Sequence, residues 1–239
     1  MPLISIITVT YNAERFIEEC ISSVLNQTFT DFEYIVIDGN STDSTVGIIK
    51  KYSNNIHKIV VEADSGIYDA MNKGINLASG EYLYFLGADD TLYSNLTLDK
   101  VASSISSNDF PAIVYGNVVY DNGKSFKSVF GFKTLLNNTI HHQSAFYNKK
   151  LFTTFRYDLN YRLISDYELN LLIFINNGQK DSLLIPEIIS RCTDGGQSRS
   201  QLKLAMSETN MIRHKILGWR AIPLKWIYSL KFYITEYVI

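Results

Sequence analysis

At 239 residues with 46% hydrophobic content, the chain is long enough for one sizeable core and one principal domain. A formal net charge of −2 excludes the basic domain or stripe expected of a nucleic-acid-binding surface. Cys20 and Cys192, the only cysteines, stand far apart and outside any CxxC or Cys/His cluster. That excludes a zinc site or redox pair built on them and predicts reduced thiols in a cytoplasmic protein.

The opening MPLISIITVTYN has no basic region and too short an apolar run for an export signal, so a first strand is expected over residues 4–10. Phe16, Ile17, Cys20, Ile21, Val24 and Leu25 then recur every three or four residues, which predicts an amphipathic helix over 14–26 with Asn12 available as its cap. Short apolar runs predict strands at 34–37, 59–61 and 82–86. Between them, helices are expected over 43–52, behind Asn40-Ser41-Thr42, and over 67–78, closed by Ser79-Gly80. This is βαβ patterning, and it predicts an α/β sandwich around a mostly parallel sheet. Beyond Asp90 the sequence predicts a helix over 96–106, a strand over 113–120, a loop across the polar stretch 121–133, and a helix over 166–176 ending at Asn177-Gly178. No stretch reaches the roughly 18 apolar residues of a membrane-spanning helix.

Ligands of open α/β sheets bind beyond the carboxyl ends of the strands. Here those ends carry Tyr11-Asn12, Asp38, Glu62 with Asp64, and Asp89-Asp90. The first strand is not followed by GxGxxG and no GxxxxGK(S/T) occurs, so neither a dinucleotide fold nor a P-loop is supported. Carboxylates in this number repel a diphosphate unless a divalent cation lies between them, and hard oxygen donors suit Mn2+ or Mg2+. Such a cation stabilises a departing nucleoside diphosphate as a Lewis acid. Taken singly, Asp38 reads equally as part of a turn and helix cap, and Asp89-Asp90 as an ordinary loop; their placement at successive strand ends favours the functional reading.

The blocks Ile6-Ile7-Thr8-Val9-Thr10-Tyr11-Asn12, Ser23-Val24-Leu25-Asn26-Gln27-Thr28, Tyr34-Ile35-Val36-Ile37-Asp38-Gly39-Asn40-Ser41-Thr42-Asp43 and Gly80-Glu81-Tyr82-Leu83-Tyr84-Phe85-Leu86-Gly87-Ala88-Asp89-Asp90 resemble, in order and spacing, those of family-2 glycosyltransferases. The resemblance spans residues 3–200 and implies a GT-A fold, a Rossmann-like sandwich with a central, mostly parallel sheet. It implies a nucleotide-sugar pocket lined by Thr10, Tyr11 and Asn12, with Asp38 accepting from the base or ribose. The segment Asp64-Ser65-Gly66-Ile67-Tyr68-Asp69-Ala70-Met71-Asn72-Lys73-Gly74 resembles the one that approaches base and diphosphate, through Asp64, Gly66, Asn72 and Lys73. Gly87-Ala88-Asp89-Asp90 stands where the family carries its DxD metal motif, with Gly87 replacing the first acid. The resemblance then implies a donor contact at Ala88 and Asp89, and a metal, Mn2+ or Mg2+, on Asp89 with Asp90 as alternative. His142, in His141-His142-Gln143-Ser144, is the residue that would complete its sphere. Asp166, in Ser165-Asp166-Tyr167-Glu168-Leu169, occupies the place of the catalytic base; it reads equally as an N-cap of the following helix, and Glu168 is its nearest competitor. Gly195-Gly196-Gln197-Ser198 resembles a loop that closes over the diphosphate.

Together these imply an inverting glycosyltransferase that moves a hexose or N-acetylhexosamine from a UDP-sugar to a hydroxyl of a lipid-linked oligosaccharide, in O-antigen or capsule assembly. The alternatives are a polyprenyl-phosphate sugar synthase and a non-catalytic nucleotide-sugar-binding module. The expected division is a catalytic domain over 1–200, with a nucleotide-sugar half at 1–90 and an acceptor half at 91–200, followed by a helical tail over 201–239. In that tail Trp219, Ile222, Trp226, Leu230, Tyr233 and Tyr237 form one aromatic stripe flanked by Arg220, Lys225 and Lys231. The pattern predicts an amphipathic helix lying on an anionic membrane, at the inner face of the cytoplasmic membrane. Docking on protein is the alternative. The sequence sets no oligomeric state.

Overall fold

Three βα units build the first half as the periodicity predicts: β1 (Ile4–Thr10), α1 (Ile17–Leu25), β2 (Phe32–Asp38), α2 (Thr45–Lys51), β3 (Lys58–Val61), α3 (Ile67–Leu77) and β4 (Tyr82–Gly87). The structure, a computed structural model, describes residues 1–194 and 201–224. All seven residues of β1 are buried, because alternate side chains serve opposite layers. Ile4 and Ile6 share a cluster with Ile17, Cys20, Ile21 and Val24 of α1, whereas Ile7 and Val9 share one with Tyr68, Met71 and Ile75 of α3. β1 pairs in parallel with β2 and β4, and β2 with β3. Thr10 is thus level with Asp38, and Val9 with Gly87, which gathers the loops after three strands at one edge.

The second half contributes β5 (Thr91–Leu92), α4 (Thr97–Ser107), β6 (Ile113–Tyr120), β7 (Ser125–Phe126), β8 (Ala145–Asn148), α5 (Ser165–Asn177), β9 (Ser182–Cys192) and α6 (Leu202–Leu217). Among the described residues the sheet runs β3-β2-β1-β4-β8-β6-β9-β5, with β7 on β6. It is the α/β sandwich expected, mostly parallel, with β8 inserted antiparallel between β4 and β6.

Several local expectations change. The strands β8 and β9 were not foreseen. β8 has four residues and no alternation, since all are buried. β9 carries Pro186, which reads as a strand breaker; the register with β6 shifts there, from Tyr115 opposite Leu184 to Asn117 opposite Ile188, so the missing N–H falls at an irregularity. The stretch 121–133 is not all loop: it turns at Gly123, whose φ of +81° suits glycine, into the short strand β7. Asn12 does not cap α1, whose N-cap is Phe16. With a φ of +51°, Asn12 instead takes the N–H of Thr42 on its Oδ1 at 2.9 Å and gives its own to Ser41 Oγ at 2.8 Å.

α6 docks on α5, where Ile212 joins Tyr161, Ile164, Tyr167 and Leu171 in a cluster. Beyond it Trp219 and Ile222 are 75% and 56% exposed. The other members of the expected stripe, Trp226, Leu230, Tyr233 and Tyr237, lie outside the described residues, as does Gly195-Gly196-Gln197-Ser198. Among the described residues no helix is long and apolar enough to cross a membrane.

Candidate active site

The loops after β1, β2 and β3 meet over Gly39. A Cβ there would lie 2.5 Å from Asp64 Oδ2 and 3.4 Å from the Tyr11 ring, so glycine is what lets Asp64 and Tyr11 close over the strand end. Tyr11 is 62% exposed, with its ring open for stacking. Asp64 Oδ1 accepts the N–H of Gly66 at 2.9 Å, and Gly66, at a φ of +124°, opens α3 in a conformation that side chains disfavour. Thr10 and Asp38 are buried at the same edge. Asp38 accepts from the Ser41 N–H at 2.8 Å and the Ser41 hydroxyl at 2.6 Å, which rigidifies the loop that Tyr11 and Asn12 lean on. Asn72 and Lys73 are spent elsewhere. Asn72 bridges both backbone groups of Tyr157, and Lys73 pairs with Glu62 at 2.9 Å and the Ala63 carbonyl at 2.8 Å.

A cavity of about 420 Å3 opens beyond β4, and Asp89, Asp90, Asn138, His142, Arg162 and Asp166 all line it. Asp89 is exposed, Ala88 and Asp90 are buried. Burial, then the neighbouring Asp89 charge, pushes the Asp90 carboxyl up to about 7, against the pull of the Thr193 N–H at 3.1 Å. The absent first acid of this motif has a structural counterpart. A Cβ at Gly87 would stand 2.6 Å from Asp90 Oδ2 and 3.1 Å from Asp89 Oδ1, so both carboxylates fold back over the space a side chain would fill.

Asp166 is the second residue of α5, not its N-cap, and is 7% exposed. Its Oδ1 accepts from the Tyr68 hydroxyl at 3.3 Å and its Oδ2 from Asn138 Nδ2 at 2.6 Å. Asn138 is held in turn by Asn170 at 2.9 Å, and Asn170 by Tyr147 at 2.9 Å. Burial pushes the Asp166 carboxyl up to about 6, while the Asn138 and Tyr68 bonds hold it back. Glu168 points away from this cavity and into an ion pair with Lys215 at 2.7 Å.

Asp89, Asp90 and His142 do not assemble as the expected ligand set. Among the described residues no three His, Cys, Asp or Glu side chains gather as a metal group. His142 stacks on Phe85 and turns Nδ1 toward Asp166 Oδ2 at 3.9 Å, with neither ring nitrogen hydrogen-bonded. Burial pushes its imidazole down to about 4, so it is neutral at pH 7. The Asp89-Asp90 pair does fit a hard divalent cation by itself: two carboxylate donors side by side, the Asp89 charge raising the proton affinity of Asp90, with the diphosphate and water left to fill the sphere. Sequence reasoning missed Asn138 and the role of Tyr68. Tyr68 lies within the segment 64–74, but nothing local marks Asn138, which reaches Asp166 only through the fold.

The family profile described as Glycosyl transferase family 2 matches residues 5–166. A Mycobacterium tuberculosis protein named PGL/p-HBAD biosynthesis glycosyltransferase is 38% identical over 182 residues, covering 73% of this chain and 71% of that one. Among solved structures, S. aureus TarS 1-349 in complex with UDP-GlcNAc superposes with a TM-score of 0.74 at 19% identity, over 99% of this chain and 73% of that one. The mannosyltransferase PcManGT of Pyrobaculum calidifontis, in complex with GDP-Man and Mn2+, does so with a TM-score of 0.65 at 18% identity, over 99% and 70%.

Proposed function

Because this chain belongs to glycosyl transferase family 2, we propose that it transfers a hexose or N-acetylhexosamine from a UDP-sugar to a hydroxyl of a lipid-linked surface glycan, with inversion. The observation that carries the reading is that Asp166 and the Asp89-Asp90 pair line one cavity. The donor diphosphate belongs over Asp89 and Asp90, and the nucleobase against Tyr11 beside Asp64. Asp166 takes the proton of the acceptor hydroxyl as its oxygen attacks the anomeric carbon from the opposite face. The bond from that carbon to the diphosphate then breaks, and the electron pair leaves with the nucleotide. A buried carboxylate held by two donors suits this task, since its raised proton affinity makes it a stronger base while Asn138 and Tyr68 fix its direction. That setting favours a hydroxyl acceptor over a lipid phosphate, which needs no base. Asp89 and Asp90 would hold a divalent cation, whose contribution is to neutralise charge on the departing diphosphate. The relative named for PGL/p-HBAD biosynthesis supports a sugar transfer in a biosynthetic route, and the UDP-GlcNAc held by TarS supports a UDP-sugar.

The test is a screen of UDP-, GDP- and dTDP-sugars for protection against thermal unfolding, with Mn2+ and with excess chelator. A UDP-sugar at 100 times its Kd should add about 2.7 kcal/mol, only with the metal present. Asp89→Ala, a change at an exposed loop position, should keep the fold and lose that metal-dependent protection. Turnover that survives chelation in full removes the metal from the reading.

A further inference from the structure

Four consecutive peptide N–H groups, those of residues 162–165, run along the cavity wall into the start of α5, where a helix leaves its first N–H groups without internal partners. Glu208 of α6 takes three of them. Its Oε1 accepts from Arg162 at 2.8 Å, and its Oε2 accepts from Leu163 at 3.0 Å and Ile164 at 3.2 Å. The fourth, on Ser165, donates at 2.9 Å to the Tyr68 hydroxyl, the same group that donates to Asp166. The wall is therefore pinned from two sides, by α3 and by α6. Lys215 adds a second tie from α6, to Asp158 at 3.0 Å and Glu168 at 2.7 Å, on either side of the pinned segment.

Glu208 is 3% exposed. A buried carboxylate is costly unless donors surround it, and three backbone N–H groups meet that need. An apolar side chain would fill the space but strand three peptide donors, that of Ile164 buried. One carboxylate instead fixes three successive peptides, and Arg162, Leu163 and Ile164 all line the cavity. We propose that Glu208 is a positioning residue for the transfer step: by holding residues 162–164 it sets the cavity wall and the start of the helix that carries Asp166. The family match ends at residue 166, so this support comes from a part of the chain beyond it. The proposal rests on Asp166 as the base.

Full-length Glu208→Gln and Glu208→Ala should be compared with wild type in three measurements: hydrolysis of UDP-glucose and UDP-N-acetylglucosamine with Mn2+, calorimetric UDP affinity, and amide hydrogen exchange. The expected result is a kcat lowered about 10- to 100-fold in Glu208→Ala, the scale of a small misplacement of reacting groups, with donor KM and UDP affinity unchanged. Glu208→Gln should fall between, because its one carbonyl oxygen still accepts two of the three bonds. Exchange should quicken at residues 162–166 and stay the same over β1 and β2. An unchanged kcat, a parallel loss of UDP affinity, or faster exchange confined to α6 overturns the proposal. If Glu208→Ala does not fold, Glu208→Gln and Lys215→Met give the same reading. If wild type hydrolyses neither donor, it is the donor assignment of the proposed function that has failed, and exchange at 162–166 still decides whether Glu208 holds the wall.

Discussion

Asp166 and Glu168 stand two residues apart on one helix, both buried, yet the fold gives them opposite surroundings. Glu168 is paired with Lys215, while Asp166 faces the cavity with the Asn138 and Tyr68 donors and a neutral imidazole beside it. With Asp166 proposed as the base and acting as its carboxylate, turnover at saturating Mn2+ should be flat above about pH 6 and fall about tenfold per pH unit below it. Asp166→Asn should bind UDP normally and turn over about 10²- to 10⁴-fold more slowly. The same residue links stability to pH. Its folded carboxyl titrates above the unfolded value of about 3.9, so its contribution is present below that value and lost as pH rises through about 6. His142 runs the other way, its contribution being lost as pH falls from about 6.5 toward about 4. Asp166→Asn should therefore gain stability relative to wild type between pH 4.5 and 7, read from thermal melts. A constant difference across that range contradicts the buried, raised carboxyl.

At the scale of elements, the layer that presents the site depends on how closely α3 approaches β1. A Cβ on Gly74 would stand 2.4 Å from Ile7 Cγ2, a fully buried strand side chain with no room to retreat. Helix propensity alone favours alanine over glycine by about 1 kcal/mol; overpacking costs about 1–3 kcal/mol. Gly74→Ala is expected to destabilise, and Ile7→Ala in the same chain to recover part of the loss, so a urea double-mutant cycle should show coupling. Additive losses would mean that the contact does not set the spacing. This approach was hidden in sequence, where Gly74 looks like a weak helix residue. The elements themselves were legible wherever two faces differ, as in α1 and α3. They were not where burial is complete, as in β8, or where a proline masks a strand, as in β9.

For the whole molecule, the proposed lipid-linked acceptor calls for a surface that meets a membrane. Trp219 and Ile222 begin the predicted stripe and are exposed, with the Arg220 guanidinium 5.8 Å over the Trp219 ring, so they are the residues on which the proposed membrane contact can be tested. Full-length protein should sediment with anionic vesicles at low salt and less at high salt, and a Trp219→Ser, Ile222→Ser double variant should stay in the supernatant while keeping its thermal midpoint. Equal sedimentation of both removes the anchor role. The sequence by itself determined the order of the βα units, the acidic residues at their ends and the family, because periodicity and strand-end chemistry are local properties. Only the tertiary structure decided which of those residues meet. It turned His142 toward Asp166, set Asp166 on the cavity and Glu168 against Lys215, and brought Asn138, Tyr68 and Glu208 to the same wall. Those contacts join positions 28 to 98 residues apart, and no local pattern encodes a distance that packing alone creates.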